Sequence, residues 1–331
     1  MFRKIARRRL LQVAPLLAAP GLLTGLPRPA RAADWPTRPV RFIVSFTPGG
    51  TTDIIARLVG NALGEQWGQP VVVENRPGAG GNIGSEYVAR ADPDGYTVLV
   101  GSVGPLAVNQ SLYSNPGFRT LEDFAPITEL AGVPNILVVP ANSPLHSAAD
   151  LVAAAKKQPG KLSYGSTGVG TSSHLSGALA DHMAGMTTVH VPYRGAGALN
   201  DLLAGRLDFM YATIPSCIEH VRAGKLRALA VSSLQRSRAA PEVPTMVECG
   251  FPGFNASSWF GMVAPAKTPP EVVRKIANDT IALLKNPDIE AQMVNQGADP
   301  VASTPEEFRA FIAEEIARWG EVVKLSGAKA D

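Results

Sequence analysis

Phe42-Ile43-Val44-Ser45-Phe46-Thr47-Pro48-Gly49-Gly50-Thr51-Thr52-Asp53 is an apolar strand pattern that turns through Gly-Gly and enters a helical pattern without spacer residues. The first amides of a helix have no partner inside it. Together with the partial positive charge at the helix start, those donors make a site for an anion such as a carboxylate. Strand, tight turn and helix is also the unit of an α/β fold.

Outward from this stretch, short β-branched runs alternate with helical patterns. Residues 40–46, 71–74 and 97–100 read as buried parallel strands, with helices over 52–67 and 82–91. A second series opens at Ile136-Leu137-Val138-Val139-Pro140. There helices at 147–157, 172–183, 198–204 and 216–223 alternate with strands at 162–164, 188–191, 208–211 and 227–231. After a Pro-rich loop over 236–252, residues 259–265 read as a strand returning to the first unit, whose sheet helices at 270–285, 288–296 and 305–325 then cover. The expected fold class is α/β with two α/β domains, 33–137 plus 258–331 as domain 1 and 138–257 as domain 2. Two crossings around a cleft allow hinge closure over a ligand. No internal repeat of fixed period and no low-complexity segment is evident.

Residues 1–32 read as a cleaved export signal: Arg3, Lys4, Arg7, Arg8 and Arg9 precede an apolar run from Leu10 to Leu26, and Ala30-Arg31-Ala32 supplies small residues for the peptidase. Arg7-Arg8-Arg9-Leu10-Leu11-Gln12 fits a twin-arginine pattern, and a Sec signal with an Arg-rich head is the alternative. Pro15, Pro20, Gly21 and Gly25 interrupt the run, which falls short of the about 20 residues that a membrane span needs. The segment holds no Cys for a lipid anchor. Seven of the 31 basic residues lie in it and none of the 28 acidic ones, so the mature chain carries 24 bases against 28 acids. The basic balance belongs to the leader, and no basic stripe remains to support nucleic-acid binding. Cys217 and Cys249, the two cysteines, could pair in an oxidising compartment or stay free.

Gly-x-Ser-x-Gly, His-Glu-x-x-His, Walker and Gly-x-Gly-x-x-Gly patterns are absent, and the five histidines show no metal-ligand spacing. Neither a metal nor a cofactor is expected. A second loop, Tyr164-Gly165-Ser166-Thr167-Gly168-Val169-Gly170-Thr171-Ser172, repeats the chemistry of the first: a strand, a hydroxyl- and Gly-rich turn, and a helix start without charged side chains. Facing the first loop across a cleft, it would hold the other end of a small dianion. A third loop, Val191-Pro192-Tyr193-Arg194-Gly195-Ala196-Gly197, carries an aromatic and a cation at its tip. His174 reads first as a helix-start residue bonded to its own turn.

The runs Pro39 to Arg57, Gln69 to Gly84 and Asp92-Pro93-Asp94-Gly95-Tyr96-Thr97, together with the Gly165–Ser172 loop, Val191 to Gly195 and Ala223 to Val231, resemble the Bug family, the extracytoplasmic solute receptors of tripartite tricarboxylate transporters. The similarity covers almost all of the mature chain. It implies a two-lobed periplasmic binding protein of type II-like architecture, a carboxylate ligand held by backbone amides and waters, no enzymatic activity, and membrane components of the transporter as partners. A periplasmic monomer is expected. Carried onto this chain, the resemblance implicates Thr47, Gly49, Gly50 and Asp53 in the first loop and Ser166, Thr167, Gly168, Gly170, Thr171 and Ser172 in the second. Asp53 has a rival role, bonding to amides at its own helix start. Ser102, just after the third strand, is a further candidate, as are Tyr193 and Arg194, and Asn75 with the 77–84 turn would shape the cleft floor.

One departure bears on the ligand. Where amino-acid receptors of this family carry an acidic residue after the strand 208–211, this chain has Ala212 and Thr213. An ammonium there would be desolvated without a partner. The expected ligand is therefore an acid without an amino group: a C4 to C6 dicarboxylate, a tricarboxylate or an aromatic carboxylate. The alternatives are a secreted α/β enzyme acting on a small acid, with Ser172, His174 and Asp53 as participants, and a sensory receptor that docks on a membrane signalling protein. Ser172 and His174, two residues apart at a helix start, do not face each other.

Overall fold

The computed structural model describes residues 35–326 together with Ala328 and Ala330, so the expected leader at residues 1–32 lies outside the described residues. The first series runs β1 (Val40–Val44), α1 (Thr51–Trp67), β2 (Val71–Asn75), α2 (Asn82–Ala89), β3 (Thr97–Ser102), the short helices α3 (Asn109–Leu112) and α4 (Thr120–Asp123), and β4 (Phe124–Val133). The second runs β5 (Asn135–Pro140), α5 (Ala148–Lys157), β6 (Ser163–Ser166), α6 (Ser172–Ala184), β7 (Val189–Pro192), α7 (Gly197–Leu203), β8 (Phe209–Thr213), α8 (Ile214–Arg222) and β9 (Leu226–Val231). The chain then returns through β10 (Ser258–Pro265), α9 (Pro270–Leu284), α10 (Pro287–Asn295), β11 (Asp299–Pro300) and α11 (Pro305–Ser326).

The first sheet has the order β11-β4-β10-β3-β1-β2 and the second β7-β6-β8-β5-β9. In each sheet three parallel strands, β2-β1-β3 in one and β7-β6-β8 in the other, are followed by an antiparallel strand, β10 or β5. No sequence repeat announces this, yet the two lobes share one strand order. In such a sheet a ligand binds beyond the carboxyl ends of the strands where the winding reverses, between the first and third strands. Those strand ends are the β1–α1 and β6–α6 loops, which already stand out in the sequence.

Burial follows the helical period. Along α1, Ile55, Ala56, Val59 and Leu63 face the sheet at i, i+4 spacing, and Gly68 ends the helix at a φ of 62°. β2 is parallel, as expected, but forms the sheet edge rather than a buried strand, leaving Val72 exposed. The ten-residue β4 had no counterpart in the sequence reading, because Pro126, Glu129 and Gly132 interrupt its apolar pattern. Its ladder with β10 shifts register twice, at Phe260/Gly261 and Met262/Val263, and Pro126 is paired at the second shift, where a missing N–H is tolerated.

α11 packs on the first sheet through Phe308, Ile312 and Trp319, all fully buried. Glu315 accepts from the indole N–H groups of Trp259 and Trp319, both at 2.8 Å. Burial, reinforced by Glu315, pushes the nearby Glu129 carboxyl up to about 7. One apolar cluster runs from Leu99 and Trp319 through Leu112 and Leu175 to Tyr164 and Tyr211, joining the lobes behind the cleft. Both cysteines are free: Cys217 lies buried in the second lobe, where burial pushes its thiol up to about 12.

Candidate functional site

Six chain segments meet at a single cavity between the two sheets. Phe46, Gly50, Thr51 and Thr52 come from the β1–α1 loop, and Ser102 and Val103 from the end of β3. Thr167, Thr171 and Ser172 belong to the β6–α6 loop, Gly195 and Ala196 to the β7–α7 loop, and Thr213 ends β8; Ser258 and Phe260 of β10 close one wall. None of these side chains is charged. The cavity measures about 50 Å³, room for about four water-sized groups. Wider grooves of about 640 and 710 Å³ lie at the surface around Tyr87 and Phe118, but they are lined by arginines and carboxylates and not by converging helix starts.

The first loop is built to leave donors free. Gly50 is the N-cap of α1 and supplies no side chain, so the amides of Thr51 and Thr52 depend on a partner from outside the helix. Asp53 does not line the cavity. Its buried carboxylate accepts from the Gly49 amide at 3.0 Å, from Arg57 Nε at 3.0 Å and from Asn75 Nδ2 at 2.9 Å. Burial alone would raise its pKa, but Arg57, Gly49 and Asn75 together hold it below the usual carboxylate value. Asn75 also donates to the Phe46 carbonyl at 3.0 Å, so it braces the first loop instead of forming a cleft floor. The Gly49 amide is thereby occupied, and the open donors are those of Thr51 and Thr52, two and three residues further on.

The second loop uses its own hydroxyls as scaffolding. Thr171, the N-cap of α6, accepts from the His174 amide at 3.4 Å and donates to the Gly168 carbonyl at 2.8 Å. Ser166, fully buried, accepts from the Gly168 amide at 3.2 Å, so it shapes the loop from behind. Gly168 and Gly170, with φ of 147° and 82°, form the loop's bends and do not line the cavity. The amides of Ser172 and Ser173 are left as the open donors of this helix start.

Further contacts tie the two loop systems together. Thr51 and Thr213 hydroxyls meet at 2.6 Å, and Thr47 Oγ1 accepts from the Ala196 amide at 3.1 Å. Gly195 has a φ of 74°, and a Cβ there would collide with Thr47 Oγ1. Behind it, Tyr193 donates its hydroxyl to Asp201 at 2.6 Å and Arg194 is exposed, so neither tip residue of the third loop reaches the cavity.

Of the thirteen residues singled out from sequence, Gly50, Ser102, Thr167, Thr171 and Ser172 line the cavity, while Thr47, Gly49, Asp53, Ser166, Gly168 and Gly170 support the loops that do. Thr51 and Thr52 were not singled out, although their place directly after Gly50 is the signal that finds them. Phe46, Val103, Ala196, Ser258 and Phe260 carry no such signal, since tertiary packing alone brings β10 beside β3. Ser172, His174 and Asp53 do not meet as a catalytic group. Ser172 donates to Asn135 Oδ1 at 3.3 Å, His174 Nδ1 accepts from the Gly170 amide, and Asp53 is held in the other lobe.

Residues 55–328 match the model of the tripartite tricarboxylate transporter family receptor. The chain is 40% identical over 319 residues to Protein BugT of Bordetella pertussis, covering 95% of this chain and 98% of that protein. Among solved structures, Rpa4515 of R. palustris with adipate superposes with a TM-score of 0.88 at 38% identity, covering 89% of this chain and 99% of that one. The periplasmic binding protein BugD gives 0.85 at 36% identity over 89% and 99%. MatC from Rhodopseudomonas palustris with bound malate gives 0.83 at 31% identity over 87% and 100%. Adipate and malate are both small dicarboxylates without an ammonium group.

Proposed function

The chain belongs to the tripartite tricarboxylate transporter receptor family, a family of periplasmic solute receptors with the two-lobed fold, and from that premise we propose that it captures a small carboxylate lacking an amino group for the membrane components of such a transporter. The observation that carries this reading is the cavity where the starts of α1 and α6 converge with no charged side chain on its walls. An anion is matched there by two helix starts and hydroxyls, whereas an ammonium meets no carboxylate. Each charge-assisted bond from an amide adds about 1.5–3 kcal/mol. A few such bonds suffice for micromolar binding, about −8 kcal/mol, after the costs of ordering.

Phe46 and Phe260 supply apolar wall between the polar ends, as the methylenes of a C4 to C6 dicarboxylate require; an aromatic acid or a tricarboxylate remains within the same chemistry. Capture proceeds by hinge closure between the two lobes, each built on one of the two sheets. The small cavity supports this, because a dicarboxylate has more atoms than it admits without opening. The protein works in the periplasm as a monomer after loss of residues 1–32, through the twin-arginine route or through Sec, without cofactor or metal.

Isothermal titration of the purified mature chain with adipate, malate, succinate, citrate and benzoate, against aspartate and glutamate, tests the reading. Micromolar binding of at least one unaminated acid and none of the amino acids is expected. Tight binding of aspartate or glutamate with no binding of the other acids would overturn it.

A further inference from the structure

Behind the second loop, the rings of His174 and His190 stack at a centroid distance of 4.0 Å and an interplanar angle of 19°. The stack continues through Tyr164, 5.0 Å from His190, to Phe209, 5.4 Å from Tyr164, and so is rooted in the core of the second lobe. Its polar edge grips the loop at two points. His174 Nδ1 accepts from the Gly170 amide at 3.3 Å. His190 Nε2 lies 2.7 Å from Ser166 Oγ, which itself accepts from the Gly168 amide at 3.2 Å.

Resting on the carboxylate-receptor reading, we propose that His174 and His190 are a positioning pair that holds the backbone of Gly168 and Gly170 in the conformation presenting the first amides of α6 to the ligand. Glycines at φ of 147° and 82° have a wide choice of backbone conformations, so an anchor is needed if the loop is to be set before the ligand arrives. The donor at Gly170 is a backbone N–H, which requires a lone pair on His174 Nδ1 and places that ring's proton on Nε2. Burial pushes the His174 imidazole down to about 4; burial, and secondarily His174 itself, pushes His190 down to about 3. Both rings are thus neutral at neutral pH, the state that His174 Nδ1 needs in order to accept. A protonated His174 would set donor against donor at Gly170. Neither ring lines the cavity, so their effect on the ligand passes through the loop.

The test combines three measurements on the mature chain. Long-range proton–nitrogen NMR of the wild type reads the tautomer directly, and a proton on His174 Nε2 is expected, whereas one on Nδ1 overturns the proposal. Amide hydrogen exchange in the ligand-free state is expected to rise at least tenfold at Gly170 in His174→Ala and to return to within threefold of wild type in His174→Asn, whose side-chain oxygen can accept at the same position. Calorimetry with adipate as probe is expected to follow the same order, with at least tenfold weaker binding for His174→Ala and recovery for His174→Asn. A folded His174→Ala with wild-type exchange at Gly170 would sink the proposal, and should the alanine variant not fold, the tautomer and Ser166→Ala, expected to free the Gly168 amide, decide it. If the wild type binds no acid, the receptor reading falls while the exchange and tautomer arms still judge the loop.

Discussion

At the end of β8, Thr213 offers the cavity a hydroxyl, 2.6 Å from that of Thr51. Placing an acid there opposes a ligand carboxylate, and juxtaposed like charges cost several kcal/mol. Thr213→Asp is therefore expected to weaken adipate binding at least 100-fold and to gain measurable affinity for aspartate; equal adipate affinity in calorimetry would show that residue 213 does not meet the ligand. Asp53 acts differently, as a brace for the first loop. Asp53→Ala leaves the Gly49 and Asn75 donors without their acceptor and is expected to cost about 1–3 kcal/mol in urea unfolding. Glu129 gives a pH signature. Its folded value is raised to about 7 against an ordinary 4.5, so the folded state holds its proton more tightly, and this stabilisation is complete below about 4.5 and lost as pH rises through 7. Glu129→Gln should thus be more stable than wild type at pH 8, by about 1–3 kcal/mol, and equal to it at pH 4. Unchanged relative stability across that range would refute the assignment. Asp53 shows what was legible at this scale: its helix-start role follows from local spacing, whereas the Glu129–Glu315 encounter joins residues far apart in sequence.

Elements place the donors. α1 and α6 each follow a strand through a short loop, residues 45–50 and 167–171, rather than without spacer residues, and because β1 and β6 hold equivalent places in the two sheets, their helix starts reach the same cavity. The strand–turn–helix pattern makes both starts readable in sequence. The 77–84 turn, expected to shape the cleft floor, meets the second loop across the lobes at Gly80. A Cβ on Gly80, whose φ is 62°, would lie 2.7 Å from the Val169 carbonyl oxygen. Gly80→Ala is therefore expected to hold the two loops apart, weakening adipate binding about tenfold and enlarging the ligand-bound radius of gyration in small-angle scattering. Wild-type affinity would show that this contact plays no part in closure. β4 was hidden by its own composition, since Pro126 and Gly132 argue locally against a strand that neighbours on both sides nevertheless complete.

Across the whole molecule, the lobes touch on the cavity side through Thr47, Thr51 and Gly80, and again where Arg238 bonds Asp299 at 2.7 Å and Arg222 donates to the Asn295 carbonyl at 3.0 Å. The arginine contacts are half-exposed and weak, typically about 0–1 kcal/mol. Arg238→Ala should therefore change adipate affinity less than threefold, while adipate itself contracts the wild-type radius of gyration; a larger loss that high salt narrows would make the ion pair a latch in its own right. Sequence by itself determined the α/β class, the two helix starts and the absence of a charge at Thr213, because strand runs, glycine turns and the residue that ends a strand are local features. Only the tertiary structure decided that Thr47 takes the Ala196 amide, that Phe46 and Phe260 wall the cavity, and that His190 stacks on His174 behind the second loop. Those are contacts between segments tens to hundreds of residues apart, and a chain's local pattern does not hold them until packing brings the partners together.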